Sequence, residues 1–314
     1  MTPAQKNKTV IVIVGPTAVG KTTVAIDIAT RLNTEIISVD SRQCYKELKI
    51  GVATPSDEDL QRVTHHFITS HSIHQEVTAA DFEQYALQKA EEIFKKKDCL
   101  VMAGGTGLYV KAFCEGLDEI PAVDAGIRNL IIKNYVEKGM AWLQAEVKIK
   151  DPAFYEAGEI LNPQRMMRAL EVREATGKSI LEFRTGKKAD RNFQIVKIGL
   201  ELPKEELHRN INARVDKMMR QGLMQEASSL LPYRNLNALQ TVGYTEMFDY
   251  LDGKISLQQA IELIKIHTRQ YAKRQMTWFK KDKEIYWFSP ASQSILSFLS
   301  AASLSGELNV DSNH

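Results

Sequence analysis

The sequence predicts an α/β protein in which a parallel β-sheet is flanked by helices and interrupted by an all-helical insertion. Three observations carry this expectation. Apolar, β-branched runs alternate with helical stretches along the first third of the chain, the pattern of βαβ units that cover both faces of a sheet. A glycine-rich turn joins the first such run to the first helix. Between Pro121 and about Asp190 the periodicity is helical only, with no strand-like run.

The elements follow in chain order. Residues 9–14, TVIVIV, are β-branched almost without break, as expected of a parallel strand buried on both faces. A helix is predicted from about Lys21 to Leu32, and a second strand, EIISV at 35–39, ends at Asp40. TAAD at 78–81 reads as a capping box opening a helix that runs to the lysines at 95–97. CLVMA at 99–103 is a third strand, leading into GGTG and a helix over 107–115. FQIVKIGL at 193–200 and EIYWF at 284–288 are strand-like. Within the insertion, Asp124 can cap the first helix and Gly139 can end it. NPQRMMRALEVREATGK at 162–178 has Pro163 at its start and Gly177 past its end, and SILE at 179–182 opens a further helix. The expected organisation is a core of residues 1–120 and 191–314 around an insertion over 121–190, with a frayed polar tail after about Ser305.

Composition narrows the class. The chain has 314 residues, 44% hydrophobic and 25% charged, which suits a globular protein with ample material for a core. Cys44, Cys99 and Cys114 show no metal-ligand spacing and are too few for a disulfide framework, so a reducing, cytoplasmic home is expected. No targeting segment is evident, and Val10–Val14 is far too short to span a bilayer. A net charge of +2 leaves nucleic acid open as a partner, so the placement of charge must decide.

The segment GPTAVGKT, Gly15–Thr22, fits G-x-x-x-x-G-K-[ST] at every defined position and lies between strand and helix, as the phosphate-binding P-loop requires. The fold class is therefore a P-loop NTPase-like sheet. Backbone N–H groups of Gly20, Lys21 and Thr22 converge at a helix N-terminus that favours negative charge. Lys21 would reach the terminal phosphates, and the Thr22 hydroxyl would hold Mg²⁺. Ligands of such sheets bind beyond the carboxyl ends of the strands, where DSRQCY (40–45) and GGTGLY (104–109) also begin. Asp40 directly follows an apolar strand, where it can serve as metal ligand, general base or turn cap.

In the helix beginning near Glu205, Leu207, Ile211, Val215 and Met218 form an apolar stripe. At ~100° per residue, Arg214 falls within ~20° of Leu207, inside that stripe. A guanidinium there needs an anionic partner, either a diphosphate or a core carboxylate. SLQQ (256–259) caps a last long helix on which Arg269, Lys273 and Lys280 share one face. That stripe suits a phosphate backbone or a solvated surface. Gln164, Arg165 and Arg168 make a similar cluster in the insertion, whereas HHF at 65–67 has no third ligand for a metal and reads as structural.

Taken together, GPTAVGKT, ISVDSRQCY, KIGVATP, HHF, GGTGLYVKA, NPQRMMRALEV, VGYTEM and TRQYAKRQMTWF resemble the tRNA dimethylallyltransferase, or tRNA isopentenyltransferase, family, in the family's order from about Val10 to Phe288. Thr54 stands where that family commonly has lysine, and Thr245 where arginine is common. The resemblance implies that the loop Gly15, Pro16, Thr17, Ala18, Val19, Gly20, Lys21 and Thr22 cradles the diphosphate of dimethylallyl diphosphate. It also implies that an adenosine 3′ of the tRNA anticodon is the acceptor. Thr17 matches the family residue near the reacting atoms. Asp40, Ser41, Arg42, Gln43, Thr106, Arg128, Gln164, Arg165, Met166, Met167, Arg168, Gln240, Thr241, Val242, Gly243, Tyr244 and Thr245 are implied tRNA contacts. The chemistry agrees: Lys21, Thr22 with Mg²⁺, the backbone amides and Arg214 can neutralise a leaving diphosphate, and Asp40 can accept the proton of the attacking amine. The insertion would grip the anticodon stem-loop, and a monomer is expected. The main competing expectation is a small-molecule kinase using the same loop on ATP. Such kinases are usually shorter, and the third strand here runs into GGTG with no aspartate after it.

Overall fold

The computed structural model describes residues 8–158 and 160–304, and the polar tail expected after Ser305 lies outside them. The chain divides into two compact units. One holds the residues up to Cys114 and from Asp190 on, and the other is Glu115–Ala189.

In the first unit the strands β1 (Thr9–Val14), β2 (Ile36–Val39), β3 (His65–His66), β4 (Cys99–Gly104), β5 (Gln194–Leu200) and β6 (Ile285–Phe288) form one parallel sheet in the order β3-β2-β4-β1-β5-β6. Along the chain the helices are α1 (Lys21–Arg31), α2 (Asp57–Arg62), α3 (Ala79–Phe94), α4 (Gly107–Glu115), α5 (Ala125–Lys150), α6 (Pro152–Ala157), α7 (Pro163–Thr176) and α8 (Ile180–Phe183). They continue with α9 (Lys204–Gln221), α10 (Leu223–Leu230), α11 (Tyr244–Leu251), α12 (Leu257–Phe279) and α13 (Ser292–Leu304). Strand alternation splits β1 between two cores. Val10, Val12 and Val14 pack with Phe82 of α3, Phe113 of α4 and Ile264 of α12. Ile11 and Ile13 pack with Ile26 and Ile28 of α1 and with Ile295 and Leu299 of α13. Burial on both faces explains why β1 shows no polar alternation.

Local chemistry sets the helix starts. Thr78 accepts the Asp81 N–H and Asp81 reaches back to the Thr78 N–H, and Ser256 with Gln259 repeats the device at α12. β3 is a two-residue edge strand paired with Ile36 and Ile37, too short to announce itself by periodicity. Its histidines are structural: His66 Nε2 lies 2.6 Å from Glu35, and His65 Nδ1 lies 2.8 Å from the Val63 carbonyl. Among the described residues, no group of three or more His, Cys, Asp or Glu could hold a metal ion.

The second unit has its own core of Ile131, Leu143, Val147, Phe154, Met166, Met167, Leu170 and Ile180. Asp124 caps α5 through the Gly126 N–H at 2.7 Å. Gly139 (φ 75°, ψ −169°) breaks the helix as expected, but helix resumes at once, because the next turns carry Leu143 and Val147 into the core. Asn162 caps α7 with Pro163 in its first turn and a left-handed Gly177 after it, and Ser179 with Glu182 forms a capping box on α8. The junction follows α4 directly instead of falling at Pro121. Asp118 accepts the Thr185 N–H and hydroxyl and the Gly186 N–H, which commits residues before Pro121 to the helical unit. Among the described residues no helix is long and apolar enough to cross a membrane.

Ile13 is fully buried at the middle of the sheet. Ile13→Val should cost about 0.5–1.5 kcal/mol and Ile13→Ala about 2–5 kcal/mol, read from the shift in urea denaturation midpoint.

Candidate active site

The loops after β1, β2 and β4 meet at one edge of the sheet, because Gly104 pairs with Val14 on one side and Val39 on the other. They border a cleft of about 1120 Å³ that α9 and α12 complete. The first loop is wound tightly: Ala18 has φ 64° and Gly20 φ 102°. A left-handed alanine is uncommon, and here it turns the chain so that α1 begins at Lys21 with its N-terminus on the cleft. Lys21 Nζ donates to the carbonyls of Gly15 at 3.0 Å and Pro16 at 2.7 Å. Thr22 is exposed on the same cleft.

Asp40 fills one of its expected roles, the turn cap: its Oδ1 accepts the N–H groups of Arg42 at 2.9 Å and Gln43 at 3.2 Å. Its other oxygen has no hydrogen bond from the described residues, and the residue lines the cleft. Arg214 is half-buried where the helical arithmetic put it, beside buried Ile211, Val215 and Met218. No carboxylate among the described residues pairs with it directly. Its Nη2 donates a long bond of 3.5 Å to the Val52 carbonyl. A smaller pocket of about 110 Å³ shares Thr17, Asp40, Arg214, Met218 and Tyr271 with the cleft, so those five stand where two compartments meet, Met218 as an apolar wall.

The cations shape the electrostatics. Burial draws the Lys21 ammonium down to about 7, the like charge of Arg214 adds to this, and Asp40 opposes it. Burial also lowers Arg214, again with Asp40 pulling the other way. Two cations held together and only partly balanced by one carboxylate make a site for a multivalent anion. Burial, with the Asp40 charge, pushes the nearby Cys44 thiol up to about 12, which removes it as a nucleophile.

The structure sorts the other expected residues. Ser41 donates its N–H to Thr106 Oγ1 at 3.0 Å, which ties the loop after β2 to the loop after β4. Arg42, Thr241, Val242 and Gly243 line the smaller pocket. Gln43 is committed to scaffolding, since its Nε2 donates to Val52 and Ala53. Gln240 donates to the Arg234 carbonyl, and Thr245 to Thr241 and Glu246. Tyr244 is not a surface contact: it is 0% exposed, and its hydroxyl donates to Glu226 at 2.6 Å. Met166 and Met167 are likewise core residues of the helical unit, while Gln164 and Arg165 on the same helix are exposed. Arg128 and Arg168 flank the buried Glu171, with N···O separations of 3.8 and 3.0 Å. Arg269, Lys273 and Lys280 do not line the cleft, and Lys280 pairs with Glu201 and lies over the Trp287 ring.

Two supports escaped the sequence reading. Glu226 accepts the N–H groups of Lys49, Ile50 and Gly51, which fixes the loop carrying Val52. Gln275, buried on α12, accepts the Thr17 N–H at 2.8 Å and donates to the Gly105 carbonyl at 3.0 Å. A signal for Gln275 existed: a neutral amide three residues after Ala272 and four before Phe279 sits on a buried helix face, the reasoning that located Arg214.

Residues 43–282 match the model of the IPP transferase family. The chain belongs to that family. A tRNA dimethylallyltransferase of Christiangramia forsetii is 49% identical over 276 residues, 88% of this chain and 91% of that one. A crystal structure of the full-length tRNA isopentenylpyrophosphate transferase of Bacillus halodurans is 34% identical, with a TM-score of 0.70 over 96% of this chain and 98% of that one. A structure of a eukaryotic dimethylallyltransferase acting on tRNA, 24% identical, shares the fold with a TM-score of 0.79 over 96% of this chain and 80% of its own. Membership of the IPP transferase family, with relatives named for dimethylallyl and not phosphoryl transfer, disfavours the kinase alternative.

An anion beside Lys21 favours the protonated ammonium, so binding takes up a proton wherever free Lys21 has lost it, above about pH 7. The affinity ratio of the native protein to Lys21→Met for inorganic diphosphate should therefore be flat below pH 7. Above it the ratio should fall by up to about tenfold per pH unit, measured by calorimetry at fixed Mg²⁺. Titration of the diphosphate itself cancels in the ratio.

Proposed function

We propose that this protein transfers a dimethylallyl group from dimethylallyl diphosphate to the exocyclic amine of the adenosine 3′ of the anticodon in tRNA, releasing diphosphate. The observation that carries this reading is the junction of Thr17, Asp40, Arg214 and Tyr271 between two compartments. An anion site rich in cations lies on one side, and a carboxylate stands at the passage to the other.

The diphosphate would sit on the N–H groups of Gly20, Lys21 and Thr22 at the start of α1, with Lys21 and Arg214 against its oxygens. As the allylic carbon–oxygen bond breaks, its electron pair passes to the diphosphate, whose growing charge these donors stabilise. The adenine amine forms the new nitrogen–carbon bond and gives up a proton to Asp40, whose unbonded oxygen is the acceptor. The Thr17 hydroxyl would donate to the leaving oxygen. The residues present fit Mg²⁺: the Thr22 hydroxyl and the Asp40 carboxylate are hard oxygen donors on one cleft. With no larger cluster of ligands among the described residues, the ion would be held mostly through diphosphate oxygens and water. When bound, it supplies charge neutralisation to the leaving group.

For a base in the anticodon loop to reach Asp40 it must leave its stack, at a cost of a few kcal/mol. Contacts around Ser41, Arg42, Thr106 and Thr241–Gly243 would offset that. In the helical unit, the exposed Gln164 and Arg165 with Arg128 and Arg168 would contact the stem-loop.

The test is transfer of label from dimethylallyl diphosphate to unmodified tRNA with Mg²⁺, beside ATP hydrolysis. Label should appear in tRNA without ATP turnover. Asp40→Asn, which keeps an acceptor for the turn, should lower kcat by about 10²–10⁴-fold. ATP turnover with unlabelled tRNA would sink the proposal.

A further inference from the structure

Gln275 reaches both the P-loop and the loop after β4 from outside the sheet. It is 6% exposed, and both ends of its amide are used: Oε1 accepts the Thr17 N–H at 2.8 Å, and Nε2 donates to the Gly105 carbonyl at 3.0 Å. An amide is directional, so only one orientation satisfies an N–H on one side and a carbonyl on the other. Gly105 is shaped around it, because a Cβ there would lie 2.1 Å from Nε2. The chain of bonds continues. Thr106 donates its N–H to Val39 at 3.2 Å and accepts the Ser41 N–H through its hydroxyl, which fixes the turn that Asp40 caps. Thr17, on the leaving-group side, and Asp40, on the proton-acceptor side, are thus joined through Gln275, Gly105 and Thr106.

A second consequence concerns the anion. The Thr17 N–H points at α12 and is not offered to the cleft, so the diphosphate would be held by the N–H groups at the start of α1, by Lys21 and by Arg214. None of these touches Gln275.

We propose that Gln275 is a positioning residue that sets the separation of Thr17 and Asp40, and so acts on the chemical step and not on the hold on the diphosphate. The inference rests on the prenyl-transfer reading above.

The experiment compares the full chain with Gln275→Met and Gly105→Ala, the second of which displaces the amide without altering Gln275. Steady-state kcat and donor KM come from label transfer, and the affinity for inorganic diphosphate from calorimetry. Each variant should lose kcat on the order of 100-fold, the effect of displacing reacting groups by about 1 Å. Diphosphate affinity should stay within about twofold in each, on the same scale. Gly105→Ala placed in a Gln275→Ala background should add little, because the group it displaces is already gone. A folded Gln275→Met or Gly105→Ala protein with native kcat would overturn the proposal. So would a loss of diphosphate affinity equal to the loss of kcat, which is what general loosening of the site produces. If Gln275→Met does not fold, Gln275→Glu and Gly105→Ala carry the same comparison: Glu keeps the acceptor for Thr17 and loses the donor to Gly105. Failure of the native protein to transfer label would refute the function itself, an outcome distinct from any of these.

Discussion

The level at which three strands end is the constraint on which the site depends. Val14 of β1 and Val39 of β2 both pair with Gly104 of β4, so their loops leave the sheet side by side. This register is hard to alter, since a one-residue slip would swap the valines and isoleucines of β1 between its two cores. Everything chemical is then local: a tight loop, an acid and a glycine pair emerge within hydrogen-bond reach of one another. The helices α9 and α12 bring Arg214, Tyr271 and Gln275 over that edge, and the same helices bury apolar residues against the sheet.

Charge and scaffold are divided between different side chains. Lys21, Arg214 and Asp40 face the cleft, where burial and the charges of the other two set the Lys21 ammonium, while Glu226, Gln43 and Gln275 satisfy backbone groups of the loops around them. Each of the latter binds more than one backbone group. A loop held this way loses little further entropy when a ligand orders around it, and its groups need not reorganise as charge develops.

What could be read from the sequence follows from how local the signal is. The P-loop is legible because its glycines, lysine and threonine work through backbone geometry over eight consecutive residues. Asp40 stands out as an acid closing an apolar strand, and Arg214 as a cation inside an apolar helical stripe. Met166 and Met167 depart from expectation because a contiguous motif on a helix is not a contiguous surface. On α7 each residue turns ~100°, so Gln164, Arg165 and Arg168 cannot face the same way as their neighbours. Tyr244 failed for a different reason: its partner, Glu226, lies on another helix, and only the tertiary fold brings them together. β3 has two residues and no period to read, and the partners of Gln275 are backbone atoms, which a sequence does not place.

Glu171 is buried in the helical unit between Arg128 and Arg168. Its carboxylate offsets one of the arginine charges there. A polyanion docking on that face would therefore displace about one counterion fewer, and its grip would weaken less steeply with ionic strength than a count of arginines implies. In such docking the buried carboxylate would act as a built-in competitor for the arginines, and it keeps the patch ordered when bare.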